Sequence, residues 1–170
     1  MSQLARDRAN AAQRLGSDPA LSAFVGASAG SGKTKLLTDR LLRLMLGGAA
    51  PERIKCLTFT KAAAAEMALR LHRTLGEWVT LDDDTLDVRL LALSVVPSEE
   101  SRKRARALFA TVLDLPGGMR IGTIHAFCQS LLRRFPLEAA LSPHFTVADE
   151  REAGDALTAA REDMLAGAHD

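Results

Sequence analysis

Residues 23–34 read Ala-Phe-Val-Gly-Ala-Ser-Ala-Gly-Ser-Gly-Lys-Thr, an apolar run that breaks into small residues and glycines just ahead of a Leu-rich helical pattern. No other stretch restricts the fold as tightly, because this is the layout of a phosphate-binding loop between a strand and a helix. Small residues let successive backbone N–H groups turn inward onto closely spaced oxygens. The helix that follows points its partly positive N-terminus at the same oxygens. The ligand implied is a nucleoside triphosphate. Ala27, Ser28, Ala29, Gly30, Ser31 and Gly32 form the expected cradle, with Lys33 reaching the β- and γ-phosphates and the Thr34 hydroxyl ligating Mg²⁺. The general pattern opens on Gly where this chain has Ala27, while Gly30 and Gly32 are kept. A Gly-rich turn before an ordinary helix is the alternative, and the strand–helix context weighs against it.

Composition narrows what else the chain does. At 170 residues, with 47% hydrophobic and 25% charged residues, it is long enough for one domain with a real core. A net charge of only +1 gives no global field for nucleic acid, so any such site is local. Aromatics make up 4%, with no Tyr and a single Trp, which leaves few stacking platforms. Cys56 and Cys128 lack metal-ligand spacing and suit a reducing compartment. Residues 1–15 are too polar for a signal peptide, and Asp39, Arg40 and Arg43 interrupt the richest apolar stretch, Leu36–Leu46. The expected location is cytoplasmic.

Along the chain, residues 1–16 predict a polar helix ended by Gly16, and Ser17-Asp18-Pro19 a turn. Ala23–Ala27 predicts a strand, and Lys33–Leu46 a helix stopped by Gly47-Gly48. Ile54–Phe59 predicts a second strand, after which Thr60 caps an Ala-rich helix to about Trp78. Strand, helix, strand at this spacing is a βαβ unit, so the fold class is α/β with a parallel sheet covered by helices. From Leu81 to Leu115 the pattern is helical, carrying Asp82–Asp84 early and Arg102, Lys103, Arg104 and Arg106 later. These charge runs read as solvated faces, with DNA-backbone contact as the alternative. After Pro116-Gly117-Gly118, Met119–Thr123 predicts a strand returning to the sheet and Ile124–Phe135 a helix stopped by Pro136. From Ser142 come a loop, a short extended piece and a helix from about Glu150, with Asp149 and Glu152 placed as a capping box.

Two further segments carry chemistry: Leu57-Thr58-Phe59-Thr60-Lys61-Ala62-Ala63-Ala64-Ala65-Glu66-Met67 and Gly122-Thr123-Ile124-His125-Ala126-Phe127-Cys128. Each sits where a strand's C-terminal end meets a helix, the edge at which open α/β sheets bind ligands. Hydroxyls and backbone donors there hold phosphates, and Phe59 or Phe127 offers a base-stacking face. Taken singly, each residue also fits a bland role: a core Phe, a structural His125, or Thr60 as a helix cap.

Together the three segments resemble motifs I, Ia and Ib of UvrD/Rep-type superfamily 1A helicases, in that order and with a helical insertion between Ia and Ib. Within the family the likeness is to the amino-terminal part of helicase–nuclease subunits of two-subunit recombination-repair complexes. It is supported by Gln-Arg-Leu-Gly-Ser-Asp-Pro at 13–19, Cys-Leu-Thr-Phe-Thr-Lys at 56–61 and Arg-Phe-Pro-Leu-Glu-Ala at 134–139. The resemblance implies a RecA-like P-loop sheet with helices on both faces plus an all-helical insertion, in an incomplete domain. Residues 1–80 would begin motor domain 1A with motifs Q, I and Ia. Residues 81–116 would start a 1B-like helical region, 117–136 would return to 1A with motif Ib, and 137–170 would begin a further 1B-like region. The implied activity is ATP-dependent DNA unwinding, 3′ to 5′, with ATP and Mg²⁺ as cofactors. The implied partners are single- and double-stranded DNA and a second subunit, with no membrane.

Residue by residue, Gln13 matches the motif Q glutamine whose amide reads the adenine edge, and Ser28–Thr34 the phosphate loop. Lys35 stands where several relatives have an Arg flanking the adenine, keeping the charge and losing the planar surface. Phe59, Thr60 and Lys61 would touch single-stranded DNA from motif Ia, and Thr123, His125 and Phe127 from motif Ib. The family's Walker B carboxylates, arginine finger and second motor domain are expected downstream, so the chain reads as an amino-terminal piece of a larger motor. Phe109–Asp114 lacks the following Glu and lies in a helical pattern. Asp149-Glu150 is the right dipeptide, but the apolar run before it is short and a helix cap is the favoured reading.

Overall fold

The computed structural model describes residues 3–26 and 32–167. Their order is α1 (Gln3–Gly16), α2 (Lys33–Leu46), a 3-10 turn (Pro51–Arg53), β1 (Lys55–Thr58), α3 (Lys61–Thr80), α4 (Asp83–Ala92), α5 (Glu99–Leu113), β2 (Arg120–Thr123), α6 (Ile124–Arg134) and α7 (Glu150–Gly167). Two compact units divide at residue 127, inside α6.

In the first unit, α3 is the spine. Its apolar positions Ala64, Met67, Leu71, Leu75 and Trp78 recur every three or four residues, so they share one face, and all are buried. Met67, Leu71, Leu75 and Trp78 of that face share one buried cluster with Ala105, Leu108 and Val112 of α5, Leu42 and Met45 of α2, and Leu86 and Leu90 of α4, the last packed on α5. Each fully buried side chain of this size contributes about 1.5–3 kcal/mol over leaving it exposed. Side-chain caps start α3, α4 and α5. Thr60 Oγ1 accepts from Ala63 N at 3.1 Å, Asp82 Oδ1 from Thr85 N at 2.8 Å, and Ser98 and Ser101 cap each other reciprocally.

The strands β1 and β2 pair in parallel with Lys55 opposite Arg120, Cys56 opposite Ile121, Leu57 opposite Gly122 and Thr58 opposite Thr123. The connection between them runs through α3, α4 and α5, and α3 packs on both strands. The sheet is smaller than its sequence pattern predicts. Residues 22–26 adopt no regular structure, and Ala27 lies outside the described residues. A strand exists only through a backbone ladder, and the sole ladder among the described residues is that of β1 with β2. Phe24 is accordingly fully exposed.

The helical stretch 81–115 is two helices separated at Leu93–Pro97, where Ser94 takes a positive φ of 59°. Its charge runs stay at the solvated surface, as expected, but several of their side chains are paired there. Arg106 Nη2 donates to Asp83 Oδ1 at 2.7 Å and to the Leu81 carbonyl at 3.0 Å, and Arg102 Nη1 pairs with Asp87 at 2.9 Å. Arg104 donates to the last carbonyl of α2, Leu46, at 2.8 Å. Asp83 of the acidic run thus bridges to both Arg102 and Arg106 across α4 and α5, while Asp82 caps α4 and Arg104 pairs with Glu100 on its own helix. The Arg106 hydrogen bond holds the Asp83 carboxyl below the usual carboxylate range.

In the second unit, Asp149 and Glu152 form the reciprocal cap of α7: Glu152 N donates to Asp149 Oδ1 at 2.8 Å and Asp149 N to Glu152 Oε2 at 3.0 Å. The extended piece expected ahead of it forms no strand.

Candidate functional site

Gly32 precedes α2 with φ +87° and ψ 19°, a left-handed backbone that costs an L side chain roughly 1–2 kcal/mol. Having no side chain, it leaves the first N–H groups of α2 without the side-chain cap seen on α3, α4 and α5. Gln13, on the last turn of α1, lies against this glycine: a Cβ at position 32 would sit 2.9 Å from Gln13 Nε2. A cavity of about 210 Å³ is lined by Gln13, Gly26, Gly32 and Lys33. Lys33 is exposed and Thr34 half-buried at the start of α2. Ala27, Ser28, Ala29, Gly30 and Ser31 lie outside the described residues.

Lys35 is exposed and pairs with Asp39 one turn along α2. With Asn10, Gln13, Arg14 and Ser17 the two line a polar cavity of about 230 Å³. The fold thus brings Gln13 beside both Gly32 and Lys35. Two residues that the sequence marks only as charges interrupting an apolar stretch join α1 to α2. Arg40 donates to the carbonyls of Gly16, Asp18 and Leu21, and Arg43 to the carbonyl of Arg14 and the Ser17 hydroxyl. Nothing in their spacing separates them from ordinary helix-surface arginines; only the contacts do.

The second cluster is set by the parallel register. Because Thr58 lies opposite Thr123, the segments 59–61 and 124–127 leave the sheet side by side, and Thr58 Oγ1 donates to the Gly122 carbonyl at 3.4 Å. Phe59 is 84% exposed at this edge, far more than a core Phe, and Lys61 and His125 are also exposed. The Thr60 hydroxyl is taken up in capping α3. Thr123 is buried, its Oγ1 accepting from Ala126 N at 3.1 Å to cap α6. Phe127 is half-buried, with Lys55 Nζ 5.1 Å from its ring centroid. Burial pushes the Cys56 thiol up, against the opposing charge of Lys55, on the strand between Lys55 and Leu57.

A glycine-turned helix start with a glutamine laid against it, and an exposed aromatic edge on a parallel strand pair, are the two features the fold assembles from the sequence motifs. Residues 8–168 match the UvrD/REP helicase N-terminal domain, and the chain belongs to that family. It is 35% identical over 145 residues to the A-type subunit of an ATP-dependent helicase/nuclease from Pelotomaculum thermopropionicum, covering 84% of this chain and 10% of that protein. Proteins of the same name from Desulforudis audaxviator and Bacillus pumilus are 37% and 34% identical, each over 76% of this chain and 9% of their own length. The chain spans about a tenth of the length of these curated relatives. No helix among the described residues is long and apolar enough to cross a membrane.

Proposed function

We propose that the chain is the ATP- and DNA-gripping part of an AddA-type helicase, a 3′-to-5′ motor of double-strand-break repair acting in the cytoplasm with an AddB-like partner subunit. The observation that carries this is Gln13 lying against the left-handed Gly32 at the head of α2, with Lys33 lining the same cavity. Ala27–Gly32 and Lys33 hold the triphosphate, and Gln13 reads the adenine with Lys35 flanking it. Mg²⁺ fits this donor set. The ion keeps several waters and takes one or two carboxylates plus the phosphates, so the Thr34 hydroxyl at the first turn of α2 supplies one ligand and the carboxylates expected downstream the rest.

DNA lies along the edge formed by Phe59, Thr60, Lys61, Thr123, His125 and Phe127, with Phe59 as the stacking face. The two capping threonines then act by fixing the loop and helix starts. The fold is RecA-like, residues 1–80 and 117–136 belonging to motor domain 1A and residues 81–116 and 137–170 to 1B-like helices. A second reading, nucleotide binding without hydrolysis by this chain, is favoured by the engagement of Asp149 in the cap of α7.

Binding of Mg-ATP and of fluorescent oligo-dT, with turnover measured alongside, tests the proposal. Lys33→Ala is expected to abolish ATP binding. Phe59→Ala is expected to weaken oligo-dT by about 1–3 kcal/mol, one lost base stack, without moving ATP affinity. DNA-stimulated turnover by the chain, lost in Lys33→Ala, would return Asp149-Glu150 to the role of hydrolytic carboxylates. Unchanged ATP binding in Lys33→Ala would sink the phosphate-loop reading.

A further inference from the structure

Among its described side chains, the helix that carries Gln13 has very little apolar packing. From Arg8 to Leu15 every side chain of α1 is exposed except that of Gln13 itself, which is half-buried; burial begins only at Gly16 and Ser17. The residues after it, 17–26, have no regular helix or strand to anchor them. A helix so placed is positioned by its polar ties, and those ties come from one face of α2. Arg40 Nη1 donates to the carbonyls of Gly16 at 3.3 Å and Asp18 at 2.6 Å, and Nη2 to that of Leu21 at 2.6 Å. Arg43 Nη1 donates to the Arg14 carbonyl at 2.7 Å and to Ser17 Oγ at 2.9 Å. The carbonyls of Arg14 and Gly16 lie in the last turn of α1, where Gln13 also sits, and those of Asp18 and Leu21 in the turn that follows.

Helical spacing places Lys33, Leu36, Arg40 and Arg43 along one side of α2. The same rigid rod therefore carries the phosphate-directed lysine at its head and, two turns on, the guanidinium that holds the end of α1. A planar fork reaching three carbonyls cannot be reproduced by an ammonium.

We propose that Arg40 and Arg43 are positioning residues for nucleobase recognition: they fix Gln13 in register with Gly32, so that base and phosphates are read from one frame. The proposal rests on Gln13 being the base reader. Displacement of a fluorescent ATP analogue by ATP, GTP and inorganic tripolyphosphate tests it, using Arg40→Gln, Arg40→Lys, Gln13→Ala and the Arg40→Gln/Gln13→Ala double variant of the chain.

Arg40→Gln is expected to lower ATP affinity and the preference for ATP over GTP by about tenfold, the equivalent of one charge-assisted hydrogen bond. Tripolyphosphate affinity, set by Lys33, stays at its wild-type value. Arg40→Lys behaves like Arg40→Gln, and the double variant is no worse than Gln13→Ala. Retained preference in Arg40→Gln, parallel loss of tripolyphosphate binding, or additive effects in the double variant would each overturn the clamp. A Gln13→Ala chain that still prefers ATP would overturn the underlying reading of Gln13 instead. Should Arg40→Gln fail to fold, Arg43→Gln carries the same comparison.

Discussion

Gly32→Val is expected to lower ATP affinity about a hundredfold, while costing the fold no more than about 1–2 kcal/mol, the strain of one left-handed residue. The two effects have separate causes. At φ +87° a β-branched residue is a true backbone outlier, so the turn into α2 either strains or rearranges. Any Cβ there also meets Gln13 Nε2 at 2.9 Å. The obstacle is the far end of a flexible side chain, so the protein can relieve it by swinging the amide away, and the fold survives. Swinging it away removes the base contact. A rearranged turn also misdirects the N–H groups at the head of α2. Strain that persists in the free protein lowers stability alone. Where the free turn relaxes and binding must restore it, about 1–2 kcal/mol of strain plus one lost hydrogen bond at about 1.5 kcal/mol comes to about 2.5–3.5 kcal/mol, or about two decades of affinity.

Gly32→Ala in a Gln13→Ala background separates the causes, since the collision is gone and only the strain remains. Isothermal calorimetry beside thermal melting is the measurement. Wild-type ATP affinity in Gly32→Val would mean that the left-handed turn takes no part in the grip.

How far this site is visible in the sequence depends on the range of the interactions involved. Helix α2 follows from local spacing and its glycine stop, and its bounds agree with the pattern to the residue. The cap of α3 by Thr60 and the Asp149–Glu152 box are three-residue signals, and both form. Pairing is not local. Ala23–Ala27 has the composition of a strand, yet residues 22–26 have no ladder partner, and composition says nothing about whether one is at hand.

The same limit applies to charge. Arg102 and Arg106 look like surface cations in a window of ten residues, because Asp87 and Asp83 lie fifteen and twenty-three residues away. The role of Arg40 and Arg43 escapes notice for this reason too, as their acceptors, backbone carbonyls and the Ser17 hydroxyl, lie about twenty to thirty residues away. Phe59 is the opposite case. Apolar residues at strand ends usually face a core, and only the three-dimensional edge reveals this one as exposed.

Trp78→Ala is expected to destabilise the chain by about 3–5 kcal/mol, a large share of the roughly 5–15 kcal/mol that holds a typical domain. At about 2–4 °C per kcal/mol for a chain of this size, the melting point falls by roughly ten degrees. Trp78 is 2% exposed on the last turns of α3 and is the largest fully buried side chain. It belongs to the cluster where α2, α4 and α5 meet α3, alongside Leu42, Leu90 and Val112. Alanine would leave a void that four helices cannot all close at once, because each is also fixed at its own start by a cap or a turn.

The consequence reaches the nucleotide end through α2, whose inner face is seated on this cluster while its N-terminus carries Lys33. ATP binding should therefore weaken in Trp78→Ala only as far as the folded fraction falls. At a temperature where the variant is fully folded it should return to near the wild-type value. Trp78→Phe keeps most of the volume and should cost less than half as much. Chemical denaturation followed by circular dichroism reads the first effect, and nucleotide titration at low temperature reads the second. A loss below about 1 kcal/mol in Trp78→Ala would show that α3 is not the spine on which the other helices are assembled.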